Sequence, residues 1–306
     1  MKVFRWFCLF AFCAAACSAR AGFTVTVSQG EESDLAASYD PSDLIESLIP
    51  VELPGDLGWY PANTDPNDQL PAFTDGVGLR ATGLTGLLAD FPGAGNPAKR
   101  IQYTLAAPND ISEVRVFTGN DGRDGRVFHT YTVEFSNDGG QTFMAPIYVQ
   151  SHPSGTINNS FQNNWRVVLS QLQNSDGFLA RGVTALRFDF YAVANIPGEA
   201  RDPFDGFNAF TGIDDGFDAP YVSPLVWEID VLGQLNPGTL TATRAGTNMV
   251  LSWVTGMTGA ILQATAKVNP MNWQDLSPQP GISVTGKTNS AVVAIGAASQ
   301  FFRVRY

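Results

Sequence analysis

Runs of alternating hydrophobic and polar residues, each a few residues long and closed by Gly, Pro, Asn or Asp, recur along most of the chain. Residues 130–136 (Thr130, Tyr131, Thr132, Val133, Glu134, Phe135, Ser136) alternate with period two. Residues 24–27, 100–105, 113–117, 184–190 and 226–232 repeat the pattern with β-branched and aromatic residues on one face. Period two built from such residues is the signature of half-buried strands. Asn137-Asp138-Gly139-Gly140 closes one run with a tight-turn sequence. One segment, 41–49, reads as a helix, with Asp40 as N-cap and Pro41 at the first position. After Gly233–Gly238, taken as a linker, shorter strands restart at 239–244, 248–253, 260–264, 282–285, 291–295 and 301–305. Their spacing of roughly ten residues predicts a second, small β-sandwich.

The first residues set the compartment. Lys2 and Arg5 precede an apolar run from Trp6 to Cys17, and Ala19-Arg20-Ala21 supplies the small residues read by a signal peptidase. The run is shorter than the ~20 apolar residues a membrane span needs. The expected organisation is a signal peptide (1–21), a large β domain (22–235) and a small β module (236–306), with the protein secreted or at the cell surface. An alternative makes Cys17 a lipidated cysteine, although Ala14 stands where Leu is usual. Cys8, Cys13 and Cys17 are the only cysteines. Cleavage after Ala21 therefore leaves neither disulfide nor thiol nucleophile. It also moves the net charge from −11 to −14, which argues against nucleic acid and anionic membrane surfaces as partners. No later segment is apolar enough for membrane insertion after cleavage. An extracellular glycan or a surface protein is the expected partner.

Four stretches of the large domain, 70–76, 111–117, 131–140 and 226–233, resemble the discoidin, or coagulation-factor type C, family of galactose-binding-like domains. The resemblance is carried by Leu70 with Asp75-Gly76, by the Tyr131-to-Gly140 hairpin, and by Glu228-Ile229 with Val231 and Gly233. It implies an all-β jelly-roll sandwich whose end loops bind ligands, often sugars, beside a structural Ca²⁺. Asp75 and Glu228 match positions that contribute to that calcium site. The chain departs from the family in lacking a disulfide and in carrying an extra stretch, 195–224, rich in Asp, Phe and Gly. The C-terminal module, with Leu251-Ser252-Trp253, Asn272-Trp273-Gln274 and Phe301-Phe302-Arg303-Val304, resembles fibronectin-type-III or immunoglobulin-like sandwiches. Such modules are common in secreted proteins of the Planctomycetes and Verrucomicrobia, where they act as spacers or attachment domains.

Candidate chemistry is spread over loops. Trp59, Tyr60, Trp165, Phe207 and Phe210 lie in Gly-, Pro- or Asn-rich segments, where an aromatic face either stacks on a sugar ring or plugs the core. The polar loop 120–126 offers Asp124 and Arg126 for bidentate hydrogen bonds, or for a solvated turn. The ligand-binding candidates are Arg126, Trp165, Asp124, Trp59 and Phe207. Asp202, Asp205, Asp214, Asp215 and Asp218 supply hard oxygens of the kind Ca²⁺ takes, without the spacing of an EF-hand, and each is equally a turn former. With only His129 and His152, and no nucleophile-elbow, phosphate-loop or dinucleotide motif, no catalytic residue is nominated. The expectation is a non-catalytic binding protein directed at carbohydrate. A structural or adhesive extracellular protein and a hydrolase of unrecognised type stand as alternatives.

Overall fold

The computed structural model describes residues 22–35, 38–80, 82–120, 125–154, 156–157, 167–194, 199–236, 240–254, 260–267, 272–285, 288–295 and 300–305. The described chain is all-β, with antiparallel sheets packed as a sandwich. In the large domain one strand organises the rest. Strand β3 (Pro97–Gly119) was expected as two strands, 100–105 and 113–117, because Ala106-Ala107-Pro108 interrupts the alternation. The chain instead runs on through a register irregularity between Thr104 and Asn109. Proline donates no ladder hydrogen bond and is tolerated at such bulges.

The first half of β3 pairs β2 (Val51–Glu52) and β8 (Ala180–Tyr191), which continues to β4 (Thr130–Ser136) and β5 (Ile147–Gln150). Its second half pairs β7 (Val167–Asn174), edged by β1 (Phe23–Gly30), and β10 (Val226–Leu235). The short β6 (Thr156–Ile157) and β9 (Glu199–Ala200) pair as a separate two-stranded ladder. Two layers of the larger sheet therefore face each other. Ile101 and Tyr103 of β3, Tyr131 and Val133 of β4, Leu186, Phe188 and Phe190 of β8, and Ile229 and Val231 of β10 fill the space between them. Each set falls on alternate residues, as the period requires. A second cluster forms on the other side of β10, where Trp227 lies over Phe117 and Leu169. Gly119 lies against that indole, with no room for a Cβ.

Residues 41–49 are a series of turns rather than the expected helix. Asp43 and Leu48 keep local turn bonds to Asp40 and Ile45, but two N–H groups find distant partners: Leu44 donates to the Val231 carbonyl at 2.8 Å, and Ser47 to Thr74. Asp43 also turns its carboxylate back to the Ile45 N–H at 2.7 Å. Tertiary partners thus replace the helical ones, although Asp40 still accepts from the Ser42 N–H as a cap would. The expected linker 233–238 also begins later, because β10 stays paired through Leu235 opposite Asn109.

The six expected C-terminal strands are all present: β11 (Thr241–Ala245), β12 (Asn248–Val254), β13 (Ile261–Thr265), β15 (Ile282–Thr285), β16 (Thr288–Ala294) and β17 (Phe301–Arg305). With the short β14 (Gln274–Asp275) they form a four-stranded and a three-stranded sheet. Leu251, Trp253, Leu262, Ala291 and Val293 make their core. Among the described residues no strand pairing joins this module to the large domain.

Candidate functional site

Two segments 130 residues apart build an exposed aromatic surface of the large domain. Residues 87–91 run antiparallel to 221–225: Leu87 bridges Leu225, the Leu88 N–H donates to Pro224, and the Phe91 N–H donates to Tyr221 at 2.7 Å. This pairing sets the rings of Phe91 and Tyr221 parallel, with 5° between their planes and centroids 5.3 Å apart. Phe91 is 73% exposed and Tyr221 50%. Phe91 also holds φ at +63°, in the left-handed region that side chains other than glycine rarely adopt. Such a conformation costs about 1–3 kcal/mol and persists only where its surroundings over-determine it.

Those surroundings are polar and half-buried. Asp90 receives both terminal nitrogens of Arg126, at 2.8 and 2.7 Å, and the Ser223 N–H at 2.9 Å. Arg126 also donates to the Ser223 carbonyl at 3.0 Å. A bidentate arginine–carboxylate pair fixes direction as well as distance. The guanidinium expected to bind ligand is therefore spent inside the protein, where it clamps the residue before Phe91 to the segment that carries Tyr221.

A cleft of about 360 Å³ opens beside the stacked rings, lined by Phe91, Gly93, Ala94, Asp205, Asp218, Ala219, Pro220 and Tyr221. Its second wall comes from the acidic insertion. The Gly95 N–H ties the 93–95 turn to Pro203, and the Ala219 N–H donates to Asp205 Oδ1 at 2.7 Å. Both cleft carboxylates are exposed. The other aspartates of the insertion act as turn formers: Asp202 accepts from the Phe204 N–H, Asp214 from Gly216, and Asp215 from Phe217 and Asp202.

The remaining nominated residues fall elsewhere. Trp59 is packed on Phe73, donates to Glu52 at 3.1 Å and lies 4.0 Å from the Lys99 ammonium. It roofs a fully buried lysine whose Nζ reaches Glu52 and Asp56, each at 2.8 Å. Phe207 is 77% exposed and bridges Asp214 in a small hairpin. Asn208 pins that hairpin by donating to the Tyr148 hydroxyl, and Phe210 stacks on Tyr148. Trp165 and Asp124 lie outside the described residues.

Asp75 and Glu228 do come together, under the turn 75–78. Glu228 Oε2 accepts the Gly76 N–H at 2.8 Å, while its Oε1 has no partner among the described residues. Burial, with Asp230, Asp75 and Asp43 nearby, pushes the Glu228 carboxyl up to about 9. Asp230 is raised to about 7 and Asp43 to about 6, each mainly by burial. Asp75 is already engaged: Oδ2 holds the Arg80 guanidinium and Oδ1 the Val77 N–H. Among the described residues no three acidic, histidine or cysteine side chains form a metal-holding group. Of the two expected calcium positions, Glu228 thus keeps one carboxylate oxygen without a partner and Asp75 keeps none, short of the six to eight oxygens that Ca²⁺ takes.

Of the two histidines, His129 is locked between Thr118 Oγ1 and Ser170 Oγ, both at 2.6 Å, and burial lowers it to about 3. His152 stacks on Phe128.

Phe91, Tyr221 and Asp90 were not nominated from sequence. The available signal was an aromatic beside proline in a Gly-rich turn (Phe91-Pro92-Gly93, Pro220-Tyr221), outside any alternating run. No protein-family model matches the chain, and no curated protein matches it significantly.

Proposed function

We propose that this protein is a secreted, non-catalytic carbohydrate-binding protein whose large domain holds sugar in the Phe91–Tyr221 cleft. The observation that carries the reading is the parallel, exposed ring pair beside two open carboxylates. Sugar sites join an aromatic face, packed on ring C–H groups, to polar atoms that fix the hydroxyls. A backbone held at positive φ to present Phe91, with a part-buried Arg126–Asp90 clamp beneath it, supports the same assignment. The resemblance to galactose-binding-like domains and the signal-like N-terminus support an extracellular setting, and the C-terminal module is proposed as a spacer or attachment domain.

A structural Ca²⁺ drawing on Glu228 is the second part of the proposal. A broad glycan array, probed with Ca²⁺ and again with chelator, tests both. Saturable binding to a related set of glycans, lost in Phe91→Ala, is the expected result, with weaker binding in chelator. A blank array from folded protein would sink the carbohydrate reading and favour a role in protein–protein contacts. Exposed Phe207 and Ile213 on the hairpin next to the cleft segment are the observation that would then take precedence.

A further inference from the structure

The side chains of the cleft accept hydrogen bonds far more than they donate them. Asp205 and Asp218, when ionised, are acceptors only, and Gly93, Ala94, Ala219 and Pro220 bring no side-chain donor. The Tyr221 hydroxyl is the one side-chain donor in the lining, and no lysine or arginine contributes. Elsewhere in the large domain the shielded carboxylates are matched by arginine, Asp90 with Arg126, Asp189 with Arg100, Glu199 with Arg201 and Asp110 with Arg181, while more open aspartates such as Asp65 and Asp138 are taken up by backbone N–H groups of their own turns. Asp205 gives one oxygen to the Ala219 N–H and keeps the other open. Neither cleft carboxylate has a cationic partner among the described residues. Ring faces add to the same field, since the aromatic quadrupole attracts cations. The chain carries a net charge of −11 as a whole, which disfavours sulfated or uronic sugars.

We infer that the cleft takes an amine-bearing sugar, a hexosamine unit with a free ammonium group, its C–H face on Phe91 and Tyr221 and its ammonium against Asp205 and Asp218. An ammonium supplies three donors and the missing positive charge, while the ring uses the aromatic pair. This assignment rests on the carbohydrate reading of the same cleft and goes further in naming the sugar's charge.

Calorimetric titration of the purified protein at low ionic strength tests it with four probes: a glucosamine tetramer, its N-acetylated counterpart, a glucose tetramer and a lysine tetrapeptide. The glucosamine tetramer is expected to bind at least about tenfold more tightly than the other three. The double variant Asp205→Asn/Asp218→Asn should remove that preference, and Phe91→Ala should weaken binding of the glucosamine tetramer about tenfold. The replaced side chains are exposed, so unchanged thermal unfolding confirms that the variants remain folded. Equal binding of the acetylated or glucose tetramer, still lost in Phe91→Ala, overturns the amine assignment and leaves the carbohydrate reading standing. Lysine tetrapeptide binding as tightly as glucosamine, indifferent to Phe91→Ala, marks general attraction of cations and overturns the amine-sugar assignment. No binding by any sugar removes both.

Discussion

Asp218 and Glu228 are close neighbours in the chain, yet their surroundings are opposite. Asp218 stands in the open beside a pair of aromatic rings and has no ionic partner among the described residues. Glu228 is fully buried on β10, with Asp230 and Asp43 around it, and its carboxyl is pushed up to about 9. Burial of a carboxylate is tolerated when it is paired, when it keeps its proton, or when a cation joins it. The interior of this domain uses the first two: Asp56 and Asp90 are paired with Lys99 and Arg126, and Glu228 holds a proton at neutral pH. At the cleft, water has solvated the carboxylates already, so they cost the fold little and remain available to a ligand. Acids that serve stability and acids that serve binding are separated by surroundings rather than by residue type.

The contrast is broken most severely by unpairing the interior. Asp56→Ala leaves Lys99 buried with only the half-exposed Glu52, and should cost about 3 kcal/mol in chemical denaturation. A loss below a few tenths would show that the buried lysine is not held as described. Arg126→Ala strands Asp90 and frees the segment that presents Phe91. The expected cost is about 2 kcal/mol, with sugar affinity falling about tenfold. Retained affinity would separate the clamp from the cleft.

The protonated interior predicts a pH dependence of definite sign. Because the folded carboxyl of Glu228 sits above its ordinary value, the folded state keeps a proton that the unfolded chain has released. Stability therefore falls as pH rises toward about 9. Below about 7 the picture is mixed. Asp230 and Asp43 add to the loss with rising pH, while neutral His129 favours the fold as pH rises through the ordinary histidine range. In chelator between pH 7 and 9 the loss should approach about 1 kcal/mol per pH unit, and Glu228→Gln should flatten it. A Ca²⁺ at Glu228 would take the proton's place, so millimolar Ca²⁺ should raise the unfolding temperature most at the alkaline end. The smallest effect is reserved for the cleft: Asp205→Asn or Asp218→Asn should leave stability within about 0.5 kcal/mol, measured in the same denaturation series.

The strands were legible where alternation was undisturbed, as at Thr130–Ser136 and over residues 226–232 of β10, whose last three residues were taken for linker. Strand β7 was not, because the buried Ser170 that meets His129 breaks its apolar face. The helix expected at 41–49 had the right cap and the wrong partners: Val231 and Thr74 take the N–H groups of Leu44 and Ser47, and the remaining bonds close only single turns. Arg126 was nominated to hold a ligand by bidentate hydrogen bonds, and the carboxylate it holds in that way is Asp90 of the protein. Phe91 and Tyr221 were hidden because each is a lone aromatic in a turn, and only the pairing of 87–91 with 221–225 makes them a surface. A site made by distant segments leaves no local pattern to read.

The most direct test of the account is a binding isotherm for one array-positive glycan against wild type, Phe91→Ala and Trp59→Phe. The account predicts saturable binding by wild type, loss of about tenfold or more in Phe91→Ala, and wild-type affinity in Trp59→Phe, whose ring roofs Lys99. Wild-type affinity in Phe91→Ala, with binding lost in Trp59→Phe, would contradict it and move the site away from the cleft.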